Sequence, residues 1–254
     1  PSDHVVKNTA RFADVVHAGV ALAAGGDRIV VLGVPPTHAE TGYGYIELGG
    51  EAANASGIAT RRVKRFTEKP DRKRAEEFVA SGNYAWNGGI FLWSARTLTG
   101  AIREYCPAMV APLEKIASAH GADKFAQVFA EEYPKCGSIS IDYAVLEPRS
   151  AKGELAAEIY CLPGDFGWND LGCWDALHNY EADCGCKDPA VANIFDGADS
   201  ARVVIDSCGN YVYAPGQSVA LFGVNNLVVV QTRDALLITT RERSQDVGKV
   251  VAEL

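Results

Sequence analysis

The densest run of chemically useful residues is Gly164 to Trp174, which reads Gly-Asp-Phe-Gly-Trp-Asn-Asp-Leu-Gly-Cys-Trp. The apolar run Ile159 to Pro163 before it reads as a buried strand that opens into a loop punctuated by Gly and Asp. Asp170, just past that strand's carboxyl end, sits where open sheets present ligands, and a carboxylate there suits a hard cation. A helix cap fits the position equally well: Asp170 or Asp165 could receive the first amides of a helix starting near Trp174. Other stretches offer complementary groups. Gly42 and Gly44 let the backbone approach a ligand, with Tyr43 and Tyr45 as walls, or they form a plain glycine-rich bend. Glu68 and Lys69 follow a strand at 62–66, where the carboxylate could hold a sugar hydroxyl and the ammonium a phosphate; alternatively they are a solvated pair ahead of a helix begun by Pro70-Asp71. Asn87, followed by Gly88 and Gly89, either leans into a pocket or makes a turn. Asp142 opens an amphipathic segment and could bind ligand hydroxyls or cap a helix.

The elements that must carry these groups alternate. Apolar residues recur at helical spacing from Phe12 to Leu22, up to the Gly25-Gly26 stop, and Ile29 to Val34 follows as a short buried strand. Helix followed by buried strand is half of an alternating α/β unit. Residues 47–60 are small and polar and read as a surface hairpin. Helical patterns follow over 75–80, 95–105, 110–120 and 125–133, with a strand at 90–93 between the first two. From about Pro189 the texture changes to short β-like runs at 202–206, 211–214, 219–224, 227–232 and 235–240, with turn signals between them. A short helix over 244–254 closes the chain. The expected division is therefore a core over 1–188 and a β-rich region over 189–254.

Composition narrows the function classes. With 48% apolar and 22% charged residues the 254-residue chain reads as an ordinary globular protein. A net charge of −8 argues against a nucleic-acid or membrane surface, and no apolar run reaches the length of a span. A cytoplasmic protein is the default expectation. Seven cysteines at irregular spacing lack both a disulfide framework and the paired Cys-x₂-Cys of a zinc site, so free thiols are expected. The chain opens at Pro1 and its only methionine is Met109, so we expect that a segment upstream has been removed.

Taken together, six strings resemble the mannose-1-phosphate guanylyltransferases, particularly the bacterial group related to the bifunctional enzymes that also carry a phosphomannose isomerase. They are Pro-Ser-Asp-His (1–4), Glu-Thr-Gly-Tyr-Gly-Tyr-Ile (40–46), Phe-Thr-Glu-Lys-Pro (66–70), Trp-Asn-Gly-Gly-Ile-Phe-Leu-Trp (86–93), Ser-Ile-Asp-Tyr-Ala-Val (140–145) and the 164–174 stretch. The resemblance covers the whole chain. It implies an α/β, Rossmann-like (GT-A-like) nucleotidyltransferase core followed by a small C-terminal β-helix-like region. It also implies transfer of GMP from GTP to mannose 1-phosphate, giving GDP-mannose and pyrophosphate. By carry-over Asp3 and Asp170 bind the metal, Mg²⁺, and Lys69 faces the sugar phosphate. Gly44, Tyr45, Glu68, Asn87, Gly88, Asp142 and Trp168 are the expected substrate-binding positions. Two carboxylates with phosphate oxygens and waters match the way Mg²⁺ is usually held.

The departures matter too. The glycine-rich loop and basic residues with which the family grips the nucleotide have no counterpart in 1–254, so the chain by itself is expected to be inactive. Asn-Gly-Gly at 87–89 replaces the more usual Asn-Ser-Gly. Two alternatives stay open: a nucleotidyltransferase for another sugar 1-phosphate, and a regulatory paralogue that binds sugar nucleotide without turnover. A homodimer is also left open.

Overall fold

The computed structural model describes residues 4–185, 187–197 and 201–253. Two compact units divide after Trp168: Val6–Trp168, and Asn169–Leu254, which also takes in His4 and Val5. This division falls some way before the boundary expected at residue 188. Strands β1 (Val5–Val6) and β7 (Trp168–Asn169) lie at the division.

The first unit is built on β2 (Ile29–Val34), whose residues are all buried, as its unbroken apolar run requires. Helix α1 (Thr9–Ala24) leads into it, capped by Asn8, whose side chain accepts from Arg11 N at 3.0 Å. Strands β3 (Tyr45–Ala55), β4 (Ile58–Thr67), β5 (Tyr84–Leu92) and β6 (Ile159–Pro163) complete a closed barrel in the order β2-β5-β3-β4-β6. Only β2 and β6 run parallel. The segment expected as a surface hairpin is thus the long β3–β4 ribbon, turned at Ser56-Gly57 with both residues at positive φ. Register shifts along the ribbon bend it until Arg61 and Arg62 reach Cys161 and Tyr160, which closes the barrel. On one face of its strands, Ile29, Val31, Ile46, Val63, Phe66, Ile159 and Cys161 form one apolar cluster with Ala101, Ala144, Val145 and Leu146.

Helix α2 (Arg72–Ser81) starts and stops where its sequence signals say. Asp71 caps it by accepting from Arg74 N at 2.9 Å, and Gly82 ends it at φ 68°, where a Cβ would be strained. Helices α3 (Ala95–Tyr105), α4 (Pro107–Ala119) and α5 (Phe125–Glu132) follow, then a π-helical turn over Asp142–Leu146 and the single turn α6 (Glu147–Ser150).

The second unit holds α7 (Trp174–Cys184) and the β-rich region. Strands β8 (Ile194–Asp196), β10 (Tyr211–Tyr213) and β12 (Leu227–Gln231) stack in parallel, with Ile194, Tyr211 and Val228 in register. Strands β9 (Arg202–Ile205) and β11 (Val219–Phe222) stack the same way, while β13 (Leu236–Thr240) runs antiparallel to β12. The repeat is 17 residues, and side chains echo it: Asn210 Nδ2 donates to Asn193 Oδ1 at 2.8 Å, and Asn210 Oδ1 accepts from Leu227 N at 2.8 Å. Such a coil is the β-helix-like region expected from the sequence; β8 carried too short an apolar run to be read there. The last helix shortens to a 3₁₀ turn over Arg241–Asp246 and α8 (Val247–Val251). Every described cysteine is a free thiol.

Candidate active site

In the first unit, four chain segments bring Gly44, Glu68, Asn87 and Asp142 together. The strand pair β2–β5 places Asn87. Val31 faces Phe91 and Gly33 faces Asn87, so β5 bulges across Gly88-Gly89-Ile90 and re-aims the asparagine. Its backbone N–H donates to Gly44 O at 2.7 Å, its Oδ1 accepts from Gly89 N at 3.0 Å, and its Nδ2 donates to Asp142 Oδ1 at 3.1 Å. All the side chain's polar atoms are thereby oriented.

Glu68 comes off the end of β4. Its N–H donates to Glu147 Oε1 at 2.8 Å, and two residues earlier Phe66 N donates to Ser150 Oγ at 3.1 Å, so α6 grips the strand end. A Cβ on Gly44 would lie 2.6 Å from Glu68 Oε2 and 3.2 Å from the Phe66 ring, so only glycine lets this carboxylate lie against the backbone. Lys69 follows at φ 43°, an uncommon left-handed backbone for a lysine, and its Nζ stands 3.8 Å from Glu68 Oε1. The lysine is 60% exposed and the glutamate 10%, so the ammonium is the part open to a ligand.

The two acids are both reluctant to ionise. Burial pushes the Glu68 carboxyl up, the nearby Asp142 and Glu147 charges add to that, and Lys69 offsets it only in part. Burial likewise raises Asp142, against the hydrogen bonds from its own backbone, Ser140 and Asn87. Two half-buried carboxylates, one fixed amide and an exposed ammonium make a site for a polyol with an anionic group.

Beside Gly44 runs an aromatic wall. Tyr43 meets Trp168 edge-on at 5.6 Å and Trp86 at 5.3 Å, and His38 meets Trp86 at 4.9 Å. Burial opposes ionisation of Glu40, yet hydrogen bonds from His38 and the Gly42 N–H hold its carboxylate below the usual range. Two expected binding positions are buried. The Tyr45 ring is fully buried, its hydroxyl accepting from Glu40 N at 2.9 Å, so the wall is Tyr43 and not Tyr45. Gly88 is also buried, and a Cβ there would lie 3.0 Å from Leu32 O; its small size serves strand packing. Glu147 and Ser150 carry no local signal of their parts in the site, because their partners lie about eighty residues off in sequence.

Asp170 belongs to the second unit. The cap of α7 is Cys173, whose Sγ accepts from Ala176 N at 3.4 Å, so neither aspartate fills that place. The Asp170 loop is a shaped one: Leu171 is held at φ 48°, Leu171 N donates to Asn169 Oδ1 at 2.8 Å, and a Cβ on Gly172 would come within 2.6 Å of Asp170 Oδ2. The glycine leaves the space that the Asp170 carboxylate takes. Asp3, the other expected metal residue, lies outside the described residues. Among the described residues no cluster of three or more His, Cys, Asp or Glu side chains is placed to hold a metal, and no helix is long and apolar enough to cross a membrane.

A barrel-based α/β unit and, in the same chain, a parallel β-coil define a class. Residues 1–185 match the nucleotidyl transferase family and residues 200–254 match the MannoseP isomerase/GMP-like β-helix domain; the chain belongs to the nucleotidyl transferase family. It is 36% identical over its full length to a mannose-1-phosphate guanylyltransferase of Escherichia coli K12, of which it covers 50%. It is 34% identical, again over its full length and 50% of the relative, to the xanthan biosynthesis protein XanB of Xanthomonas campestris. Among solved structures it is similar to a protein of Thermus thermophilus described as a mannose-1-phosphate geranyltransferase. The TM-score is 0.77 at 32% identity, covering all of this chain and 68% of that one. The chain spans about half the length of the curated relatives it matches.

Proposed function

We propose that this chain is the sugar- and metal-binding part of an enzyme that transfers GMP from GTP to mannose 1-phosphate. The phosphate oxygen of the sugar attacks the α-phosphorus of GTP, a new P–O bond forms, the bond to the β-phosphate oxygen breaks, and pyrophosphate leaves with GDP-mannose as product. The observation that carries this reading is the convergence of Glu68, Asn87 and Asp142 beside an exposed Lys69. The carboxylates accept from sugar hydroxyls, Asn87 holds Asp142 in place, and Lys69 meets the sugar phosphate. Asp170, with Asp3, would hold Mg²⁺, which when bound neutralises charge on the transferring phosphate. No group on the protein is acylated or phosphorylated in this scheme. GTP supply points to the cytoplasm as the compartment.

Titration of mannose 1-phosphate into the chain by calorimetry tests the site, and pyrophosphate release from GTP with mannose 1-phosphate and Mg²⁺, in the protein extended upstream of Pro1, tests the transfer. Glu68→Ala and Asp142→Ala each remove a hydrogen-bonding charge, which should weaken sugar-phosphate binding about tenfold to a hundredfold. Arg72→Ala, at the exposed start of α2, serves as the unchanged control. Binding by both acid variants at the parental affinity overturns the reading.

A further inference from the structure

The stretch from Asp142 to Ser150, all within the first unit, meets the proposed sugar site at two places. At its start Asp142 Oδ1 accepts from Asn87 Nδ2 at 3.1 Å. At its far end Glu147 Oε1 accepts from Glu68 N at 2.8 Å and Ser150 Oγ from Phe66 N at 3.1 Å. On an ordinary α-helix, residues five apart stand about 140° apart around the axis, which would turn the two carboxylates to different sides. Here the Glu147 N–H donates to Asp142 O, an i→i+5 bond, and the wider π turn brings the fifth residue back nearly over the first. Between the two acids, Ala144, Val145 and Leu146 are buried in the apolar cluster with Val63 and Phe66. Beyond them Arg149, only 5% exposed, donates Nε to Ala157 O and Nη2 to Asp27 O, each at 2.8 Å. The turn is thus fixed before it touches the site.

We propose that Glu147 is a positioning residue for the sugar-phosphate site: held by the π turn and by Arg149, it fixes the backbone at Glu68 and so sets both the Glu68 carboxylate and Lys69. The purpose of this clamp rests on the sugar-phosphate reading of Glu68 and Lys69, while its geometry stands without that reading. The bend needs a hold, since Lys69 at φ 43° occupies a backbone region that persists only where the surroundings enforce it. A carboxylate in this place carries a penalty, because its charge helps push the Glu68 carboxyl up. A neutral acceptor would avoid the penalty but grip the N–H less firmly, charge-assisted hydrogen bonds being roughly twice as strong. Glu147 acts on substrate only through Glu68 and Lys69.

Two measurements on the chain test this: hydrogen exchange of the Glu68 amide, followed by nuclear magnetic resonance, and calorimetric titration with mannose 1-phosphate. In Glu147→Ala the Glu68 amide should exchange about tenfold faster, while the amides of β2 hold their parental rates, because only a local opening is eased. Mannose 1-phosphate should bind that variant about tenfold more weakly, the loss of one charge-assisted hydrogen bond being felt at both ligand groups. Glu147→Asp keeps the charge but is one methylene too short, so it should fall near Glu147→Ala. Glu147→Gln keeps an acceptor of the same length and should recover most of both properties. Parental exchange of the Glu68 amide in both Glu147→Ala and Glu147→Asp overturns the proposal, as does a uniform rise across the unit. Parental affinity for mannose 1-phosphate in both, with the amide loosened, overturns it as well. If the parent itself binds no mannose 1-phosphate, the sugar reading fails, and exchange at Glu68 alone decides the clamp.

Discussion

Glu68 and Asp142 hold two negative charges in a half-buried space, which the fold tolerates at some cost. A carboxyl that is harder to ionise in the folded chain than in the unfolded chain binds protons more readily when folded. Its contribution to stability is therefore fully present below the ordinary carboxylate range and is lost as pH rises through the raised value. Once pH has risen through the raised values both acids are charged and the strain is in place. Glu68→Gln keeps the shape and removes one charge, so its thermal midpoint at pH 7 should rise by about 2–4 °C per kcal/mol relieved. The gain over the parent should vanish near pH 3, where both proteins carry a neutral group. The same variant should bind mannose 1-phosphate less well. A midpoint at pH 7 equal to or below the parental one would show that Lys69 already compensates the charge.

Among the elements, α7 carries a buried titratable ring. His178 is fully buried, and its Nε2 lies 2.9 Å from Ala192 O. A carbonyl can only accept, so Nε2 carries the proton of a neutral ring. Burial lowers the ring's proton affinity below the ordinary histidine value. The unfolded chain takes up a proton near that ordinary value while the folded chain does not, so stability is lost as pH falls below it. Urea unfolding of the parent should weaken between pH 7 and 5, and His178→Gln, which keeps a donor for Ala192, should flatten that slope. An unchanged slope would place the dependence elsewhere. Elements with local signals were legible in the sequence: Asp71 and Gly82 bound α2 where cap chemistry puts them, and the apolar runs at 29–34 and 159–163 are strands. What was not legible depends on distant partners. The 47–60 segment is small and polar because the bent ribbon, not its side chains, closes the barrel. Tyr45 reads as a ligand wall by its neighbouring glycines, yet its ring fills the interior. Glu147 and Ser150 grip β4 across about eighty residues, and no local pattern announces that. Asp170 lost its alternative as a cap only because Cys173 occupies it.

Across the whole molecule, two ways of closing a β structure stand in one chain. The 17-residue coil closes by repetition, each turn supplying the next with hydrogen bonds such as those of Asn193 and Asn210. The barrel closes once, through the short pairing of Arg61 and Arg62 with Cys161 and Tyr160. That seam holds a thiol. Cys161 is buried, packs against Gly33, and burial pushes its thiol up to about 12. At pH 8 it is neither ionised nor reachable, whereas exposed Cys184 is reachable. An alkylating reagent followed by mass spectrometry should mark Cys184 within minutes and leave Cys161 unmarked until the strands part. Prompt labelling of Cys161 would mean that the seam is open in solution. If it stays protected, the rate at which Cys161 acquires its label is a clock on the barrel, counting openings too rare for spectroscopy to see.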